Sequence, residues 1–257
     1  MPLPPPFDGR LVHVRVLTPG VRELTFERVD GRAMEFVPGQ WVSAFLPITP
    51  TGEALPGDQA TLKRSYSIAS APDGSPRFDL AVTRVAGGPG STWLHALDPG
   101  AVVRFIGPQG FFTRPVDGAP PSLLVATGTG VTPMRSMMRA AVAAGSQAPM
   151  WLLLGVRHEE DLLYRDEFEA MAEKNPCVRF EPTLSQPREA GGLWGGRRGY
   201  VQAHLSGLWE DLVALAAGGA KPVSYICGLE RMISSVRSML RQGLGLPREQ
   251  VRTERYD

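Results

Sequence analysis

The chain has 257 residues, of which 43% are hydrophobic and 21% are charged, values typical of a soluble globular protein long enough for two domains. The formal net charge is +1, with 11 basic and 10 acidic residues in 1–115 and 16 of each in 116–257, so composition gives no support for nucleic-acid binding. The only two cysteines, Cys177 and Cys227, exclude a disulfide framework and a four-cysteine iron–sulfur site within these residues.

The first part of the chain is predicted to consist of short strands separated by Pro and Gly turns. One helix over 92–97, with Ser91 as its N-cap, is predicted to interrupt them, and 49–61 has the composition of a surface loop. Many short strands at this spacing are typical of a closed antiparallel barrel. The predicted strands are 11–16, 22–26, 41–46, 66–69, 78–85 and 102–106.

After a predicted linker at 115–121, short apolar strands alternate with amphipathic helices. This alternation predicts a parallel sheet with helices on both faces. The predicted strands are 123–126, 151–155, 178–184, 223–227 and 251–256, and the predicted helices are 133–144, 159–174, 201–215 and 230–241.

Cysteine usage and the N-terminal sequence predict a cytoplasmic location. Two unpaired cysteines fit a reducing compartment, and 1–6 lacks the basic and then apolar pattern of a signal peptide. The sequence contains no run of about 18 apolar residues, so no membrane span is predicted. The four histidines are scattered along the chain, so we predict no metal site.

A glycine-rich loop, Thr127-Gly128-Thr129-Gly130, is followed by Val-Thr-Pro and lies between a predicted strand and a predicted helix. Loops in this setting bind phosphate, because glycine permits close approach and the helix start presents backbone N–H groups. Pro133 suits the first helical turn. The last glycine of the dinucleotide fingerprint is replaced by Pro133, and an ordinary strand–helix turn would look the same.

A second candidate is the tetrapeptide Arg64-Ser65-Tyr66-Ser67, followed later in the chain by a glycine-rich segment at 87–92. An arginine can grip a pyrophosphate with two hydrogen bonds, and Tyr66 shares its strand face and can lie against an aromatic ring system. The segment 87–92 is a second candidate phosphate loop. Taken alone, the tetrapeptide also fits an exposed arginine and a barrel tyrosine.

Two further motifs lie near the C-terminus. Cys227-Gly228-Leu229 ends a predicted strand, and the carboxyl ends of strands are where open α/β sheets bind ligands. The tail ends Glu254-Arg255-Tyr256-Asp257. A buried cysteine that fills space and an aromatic that packs on a sheet edge are the ordinary alternatives.

Six blocks, in this order and spacing, resemble the ferredoxin–NADP(+) reductase superfamily over nearly the whole chain. The tail and the segments 154–156 and 162–168 resemble its plant-type members. The blocks are 38–40, 64–70, 87–92, 107–110, 127–133 and 227–229.

The resemblance implies an antiparallel β-barrel domain that binds FAD, 1–115, followed by an α/β parallel-sheet domain that binds a nicotinamide nucleotide, 116–257. The implied FAD contacts are Arg64, Ser65, Tyr66, Ser67, Ala81, Val82, Thr83, Gly88, Pro89, Gly90, Ser91 and Thr92. The implied nucleotide contacts are Thr127, Gly128, Thr129, Gly130, Pro133, Val156, Arg157, Ser185, Arg198, Tyr200, Cys227, Gly228 and Leu229.

The resemblance also implies four residues at the contact of flavin and nicotinamide. Tyr256 would cover the flavin ring until nicotinamide displaces it, while Ser67 and Glu254 would position nicotinamide and relay protons. Cys227 completes this implied catalytic set. Asp257 departs from the plant-type pattern, which ends on the aromatic residue.

The implied function is electron transfer between NADP(H) and ferredoxin or flavodoxin. Ser185-Gln186 replaces the Ser-Arg pair that grips the 2′-phosphate, and Thr83 replaces a common lysine. Arginines that can compensate favour NADP(H) over NAD(H): Arg157, Arg188, Arg197 and Arg198. The alternatives are an NADH-linked reductase component of a multicomponent oxygenase and an FAD-binding electron-transfer subunit of a larger complex.

Overall fold

The computed structural model describes residues 4–55, 62–188, 194–216 and 219–256. The predicted loop at 49–61 therefore lies partly outside the described residues, and Asp257 lies wholly outside them. The chain divides into two compact units. The first is Met1–Arg114 with Arg135–Ala140, and the second is Pro115–Met134 with Ala141–Asp257.

The first unit is an antiparallel barrel. Its six strands lie in the order β4-β3-β6-β1-β2-β5, and a bridge between Ile68 and Leu80 joins the two outer strands. The barrel predicted from the turn spacing is therefore confirmed. The strands are β1 (Phe7–Thr18), β2 (Val21–Arg28), β3 (Trp41–Leu46), β4 (Leu62–Ser67), β5 (Arg77–Thr83) and β6 (Val102–Gln109).

Four phenylalanines form the centre of the barrel core. Phe26 and Phe105 meet edge to face with ring centroids 5.0 Å apart, and Phe78 meets Phe105 at 5.3 Å. Phe7 stacks on Phe105 at 5.7 Å. Pairs in these geometries add to the stabilisation from burial alone, so the aromatic cluster fixes how the strands carrying the site residues pack.

A buried ion-pair network lies beside this core. Arg135 contacts Glu23 at 3.2 Å and Asp79 at 3.3 Å, and its guanidinium donates to the carbonyl of Ala69 at 3.1 Å. Arg15 reaches the same Glu23 at 2.9 Å. Arg135 and Glu23 are 3% and 5% exposed, so each charge depends on its partners for solvation.

The second unit is a parallel sheet in the order β10-β9-β8-β7-β11-β12. The chain starts in the middle at β7, builds outward to one edge, and then returns to the other side of β7. Its strands are β7 (Ser122–Thr127), β8 (Met150–Val156), β9 (Val178–Leu184), β10 (Arg197–Arg198), β11 (Val223–Gly228) and β12 (Val251–Arg255). The switch of direction lies between β7 and β11, where ligands of such sheets bind.

Helices cover both faces of this sheet. Leu123, Leu153 and Ile226 pack in one cluster with the apolar residues of two helices, while Leu124 and Leu152, which alternate with them, are also fully buried. The predicted two-faced packing is confirmed. The helices are α1 (Pro89–His95) in the barrel unit, and α2 (Val131–Ala143), α3 (Arg165–Lys174), α4 (Gln202–Leu215) and α5 (Glu230–Ser238).

The predicted helix bounds differ from the observed ones by up to three residues, and two helices differ in how they begin or in whether they are continuous. Helix α1 starts at Pro89, so the prediction of Ser91 as N-cap was wrong; Gly88 takes that place because Pro89 suits the first helical position. The helix predicted over 159–174 is a 3₁₀ turn, Glu159–Asp161, followed by α3. Tyr164 has φ +57°, which breaks the helix between them.

In the described part of the chain, none of the helices has the length and apolar character needed to span a membrane. Likewise, among these residues no group of three or more His, Cys, Asp or Glu side chains is arranged to hold a metal ion.

Candidate active site

Arg64 and the glycine-rich segment predicted to hold phosphate lie side by side in the barrel unit. A Cβ placed on Gly90 would lie 3.3 Å from Cγ of Arg64 and 3.1 Å from a methyl carbon of Leu46. Glycine therefore lets the start of α1 approach β4 closely. The Arg64 side chain is exposed and donates to the carbonyl of Lys63 at 2.9 Å, so its charge is presented beside the backbone N–H groups of the loop.

The hydroxyl of Ser91 shapes this loop. It donates to the carbonyl of Gly88 at 3.1 Å and accepts from the N–H of Val85 at 3.0 Å. No side chain caps the start of α1, and Thr92 is exposed. Within the predicted phosphate set 88–92, Pro89 has no N–H, and the N–H groups of Gly88 and Thr92 donate to backbone carbonyls. The N–H groups of Gly90 and Ser91 are therefore the better placed to bind an anion.

Tyr66 and Ser67 follow on β4. Tyr66 is partly buried and lies opposite Val42 of β3. Burial raises the pKa of its hydroxyl to about 12, against the opposing effect of the Arg64 charge, so Tyr66 stays a neutral aromatic at physiological pH. Ser67 is 4% exposed, and Ser65 shares a hydrogen bond with the hydroxyl of Ser43 at 3.0 Å.

The three predicted cofactor residues at the end of β5 differ in exposure. Val82 is 1% exposed and lies in the barrel core, and its carbonyl is 2.8 Å from Nε2 of His95. Ala81 is buried and Thr83 is exposed. The Val82 side chain is therefore used for packing, and its predicted role can be filled only by its backbone.

In the second unit, the glycine loop and the Cys227 turn meet at the switch point. A Cβ on Gly130 would lie 2.3 Å from the carbonyl oxygen of Cys227 and 2.8 Å from Cα of Gly228. Gly130 is predicted to let a pyrophosphate approach, and the structure shows that glycine is also required there for backbone packing. Gly128 has φ +52° and open space around it, so it makes the turn.

Gly228 and Thr127 form the second contact between these turns. Gly228 has φ +147°, and a Cβ there would lie 2.4 Å from Oγ1 of Thr127. Oγ1 of Thr127 is buried and has no hydrogen-bond partner among the described residues. A buried hydroxyl without a partner costs free energy, and at this position it is available to a polar ligand atom.

The structure brings together Cys227, Glu254 and Tyr256, three of the four predicted catalytic residues. Cys227 and Glu254 are register partners in the parallel pair β11 and β12, and the N–H of Tyr256 donates to the carbonyl of Gly228 at 2.9 Å. Cys227 is fully buried, which raises the pKa of its thiol well above the usual range, and Glu254 raises it further. The fourth residue, Ser67, belongs to the barrel unit.

Thr132 was not among the predicted site residues, although it lies in the glycine-loop motif. Its hydroxyl donates to the carbonyl of Thr129 at 2.8 Å and is 2.9 Å from the hydroxyl of Tyr256. Its neighbour Pro133 is buried in the first turn of α2, as the sequence predicted. The sequence feature that could have identified Thr132 is its hydroxyl side chain directly before Pro133.

Most of the remaining predicted nucleotide residues lie at the carboxyl ends of β8, β9 and β10, whereas Leu229 follows β11. The N–H of Ser185 donates to the carbonyl of Val156 at 2.9 Å, and the N–H of Gln186 donates to that of Arg157 at 2.9 Å. Arg198 is the register partner of Leu184. Tyr200 and Leu229 are 71% and 66% exposed, so both side chains are accessible to a ligand.

Two of the four compensating arginines are already paired. Arg188 contacts Glu160 at 2.8 Å, and Arg197 contacts Glu181 at 2.9 Å. Arg157 and Arg198 are exposed and have no ion pair with an acidic side chain in the described ranges. These two are therefore the better candidates for binding a phosphate.

The residues present fit both cofactors that the resemblance implies. The barrel unit offers an arginine beside a glycine-bounded loop and a half-buried neutral tyrosine. The sheet unit offers a crevice lined by backbone, where a Cβ on Gly228 would close the space beside the unpartnered hydroxyl of Thr127. The roles of the predicted site residues remain predictions, and the structure defines which side chains and backbone groups lie around them.

Comparison with known proteins gives two family models that match the chain. Residues 8–113 match the model described as an oxidoreductase FAD-binding domain, and 124–238 match the model described as an oxidoreductase NAD-binding domain. The matched ranges fall within the barrel and the parallel-sheet halves of the chain.

Similar proteins include a full-length relative and two longer ones. Ferredoxin--NADP reductase B of Sorangium cellulosum is 56% identical over 98% of both chains. The toluate 1,2-dioxygenase electron transfer component of Pseudomonas putida is 28% identical over 93% of this chain and 64% of its own length. A solved structure described as the ferredoxin reductase in carbazole 1,9a-dioxygenase has a TM-score of 0.79 at 21% identity, covering 100% of this chain and 70% of its own.

Proposed function

We propose the function of this chain from the family to which it belongs, the ferredoxin–NADP(+) reductase superfamily. It is an FAD-dependent oxidoreductase that passes electrons between NADP(H) and a separate one-electron carrier, ferredoxin or flavodoxin. The 257 residues contain two cysteines, too few for a four-cysteine iron–sulfur cluster. A one-electron carrier of that kind therefore lies outside them.

When bound, FAD accepts two electrons as hydride and releases them one at a time. The chain supplies binding, orientation and exclusion of water. Arg64 and the N–H groups of Gly90 and Ser91 would hold the diphosphate, and the Tyr66 ring would pack against the flavin. Tyr66 is neutral at physiological pH even with the ordinary phenol pKa of about 10, and burial raises that pKa further, so the ring places no negative charge beside the flavin.

The observation that carries this proposal is the cluster of Cys227, Glu254 and Tyr256 at the carboxyl end of β11. Cys227 stays protonated because burial and Glu254 raise the pKa of its thiol, so it adds no charge beside the proposed nicotinamide site. Glu254 is the group that holds or moves a proton. A binding module without electron transfer would need no such arrangement.

Turnover tests the proposal directly. Purified protein supplied with FAD should reduce ferricyanide with NADPH, and should pass electrons from NADPH to ferredoxin. Glu254→Gln should lower kcat on the order of 10²-fold, the lower range for a positioned proton-transfer group. Glu249→Gln is a matched control, because Glu249 is exposed in the turn before β12. Full turnover by Glu254→Gln would remove this residue from the mechanism, and protein that stays inactive with added FAD would exclude the function.

NADP(H) is the proposed nucleotide because exposed Arg157 and Arg198 flank Ser185. Replacing both arginines with glutamine should lower kcat/KM for NADPH by about 10- to 150-fold for each charged hydrogen bond lost, with little change for NADH. Arg188→Gln removes the same charge but only breaks the pair with Glu160, so it should leave the ratio unchanged.

A second candidate is an NADH-linked reductase component of a multicomponent oxygenase. It is favoured by Gln186, which occupies the position of the arginine expected in a phosphate-reading pair, and which is exposed. A higher kcat/KM for NADH than for NADPH would select this candidate. We place either enzyme in the cytoplasm, in keeping with two cysteines that form no disulfide.

A further inference from the structure

The hydroxyl of Tyr256 is held in place by the second unit itself. Tyr256 follows β12, its N–H donates to the carbonyl of Gly228 at the end of β11, and its hydroxyl lies 2.9 Å from Oγ1 of Thr132 in the first turn of α2. The side chain therefore reaches from the end of β11 to the helix that follows the glycine loop. This is the switch point, where ligands of open sheets bind.

The hydrogen bonds around Tyr256 have one consistent direction. Thr132 has a single hydroxyl proton, and it is donated to the carbonyl of Thr129 at 2.8 Å. Tyr256 must therefore donate to Thr132. The donors therefore run from Tyr256 through Thr132 to the backbone carbonyl of Thr129.

Thr132 is 1% exposed while Tyr256 is in place, so the hydrogen bond between the two hydroxyls is shielded from water. The loss of a hydrogen bond between buried partners costs more than the loss of one in solvent. Any ligand that moves Tyr256 away from the switch point must supply this free energy.

We propose that Thr132 is a positioning residue that holds the Tyr256 ring over the carboxyl ends of β7 and β11, so that a nucleotide must break this hydrogen bond to place its nicotinamide there. This inference rests on the proposed function, since it assigns a role to Tyr256 at the nicotinamide site. Thr132 acts only through Tyr256 and is not a catalytic residue.

Three variants and their combination isolate the bond. Thr132→Val keeps the shape and removes both polar functions, Thr132→Ser keeps the hydroxyl, and Tyr256→Phe keeps the ring. We expect Thr132→Val and Tyr256→Phe each to lower the Kd for NADP(+) by about two- to tenfold, the range for one hydrogen bond. The double variant should gain no more than either single one, and Thr132→Ser should bind as the wild type does.

A control ligand separates this effect from a general change in the unit. The 2′,5′-ADP half of the nucleotide has no nicotinamide and does not compete with Tyr256, so its Kd should be the same in all variants. Additive effects of Thr132→Val and Tyr256→Phe, or an equal gain for 2′,5′-ADP, would overturn the inference.

A second readout needs no nucleotide. Protein labelled with 3-fluorotyrosine should give five ¹⁹F resonances, one for each tyrosine, and Tyr256→Phe identifies the one from position 256. That resonance should shift in Thr132→Val and return in Thr132→Ser. If it does not move in Thr132→Val, the inference fails. If the Tyr256 resonance shifts but wild-type protein binds no NADP(+), the hydrogen bond between Thr132 and Tyr256 is supported. The proposed nucleotide function is then refuted.

Discussion

Replacing Gly130 with alanine should destabilise the second unit more than any other glycine-to-alanine change in the glycine loop. The added Cβ would lie 2.3 Å from the carbonyl oxygen of Cys227 and 2.6 Å from its carbonyl carbon. Ordinary contact distances exceed these by about 1 Å or more. Because both contact atoms belong to the backbone, relief requires the turn at Cys227 to move, and overpacking of this kind costs about 1–3 kcal/mol.

Two other glycines of the same unit separate the clash from other effects of the substitution. Gly128 has open space around it but φ +52°, so Gly128→Ala should cost about 1 kcal/mol from backbone strain alone. Gly207 lies inside α4 with nothing within 4 Å and no positive φ. Gly207→Ala should therefore stabilise by up to about 1 kcal/mol through helix propensity.

Urea unfolding at 25 °C, followed by far-ultraviolet circular dichroism, measures all three changes on the same scale. We expect the free energy of unfolding to fall most for Gly130→Ala, less for Gly128→Ala, and to rise or stay constant for Gly207→Ala. Wild-type stability of Gly130→Ala would refute the tight backbone contact between the glycine loop and the Cys227 turn.

Two further changes test the buried charges and the buried thiol. Arg135→Ala should cost about 3–5 kcal/mol of unfolding free energy, because it leaves the carboxylates of Glu23 and Asp79 without their shared partner; a loss below about 1 kcal/mol, as for a surface pair, would contradict this. The thiol pKa of Cys227 is raised on folding, chiefly by burial, so its stabilising effect is present below the ordinary thiol pKa of about 8.5 and is lost above it. Wild-type protein should therefore lose more stability between pH 8 and 10 than Cys227→Ser, as measured by urea titration at each pH.

Turn residues between short strands predicted the barrel strands, and short apolar runs predicted most strands of the buried parallel sheet. Helical spacing was misleading for 159–174, where Leu162, Leu163 and Phe168 were expected on one buried helix face. The structure buries Leu163 and Phe168 on either side of a break, since Tyr164 at φ +57° ends one segment before α3 begins. Spacing cannot distinguish one continuous helix from two segments that bury the same residues.

The order of the motifs along the chain predicted which residues form the candidate site. It did not predict which atoms those residues contact. Gly130 is predicted to admit a pyrophosphate, and in the structure it also accommodates the carbonyl of Cys227 at the end of β11. Ser91 was expected to cap a helix, but it braces the loop before α1. In each case the residue type was informative about space and hydrogen bonding, whereas the contact depended on a segment that only folding brings near.

Thr132 is a residue whose proposed role depends on a contact that the sequence alone does not reveal. Its position before Pro133 suggested a helix start, and a hydroxyl there ordinarily satisfies the local backbone, as its bond to Thr129 does. Its second bond, to Tyr256, exists only because β12 lies beside β11 and delivers the end of the chain to the switch point. The same parallel pairing sets Glu254 beside Cys227. Strand order, rather than any single motif, therefore decides which groups surround the proposed nucleotide site and which hydrogen bond, on our proposal, a nucleotide would break there.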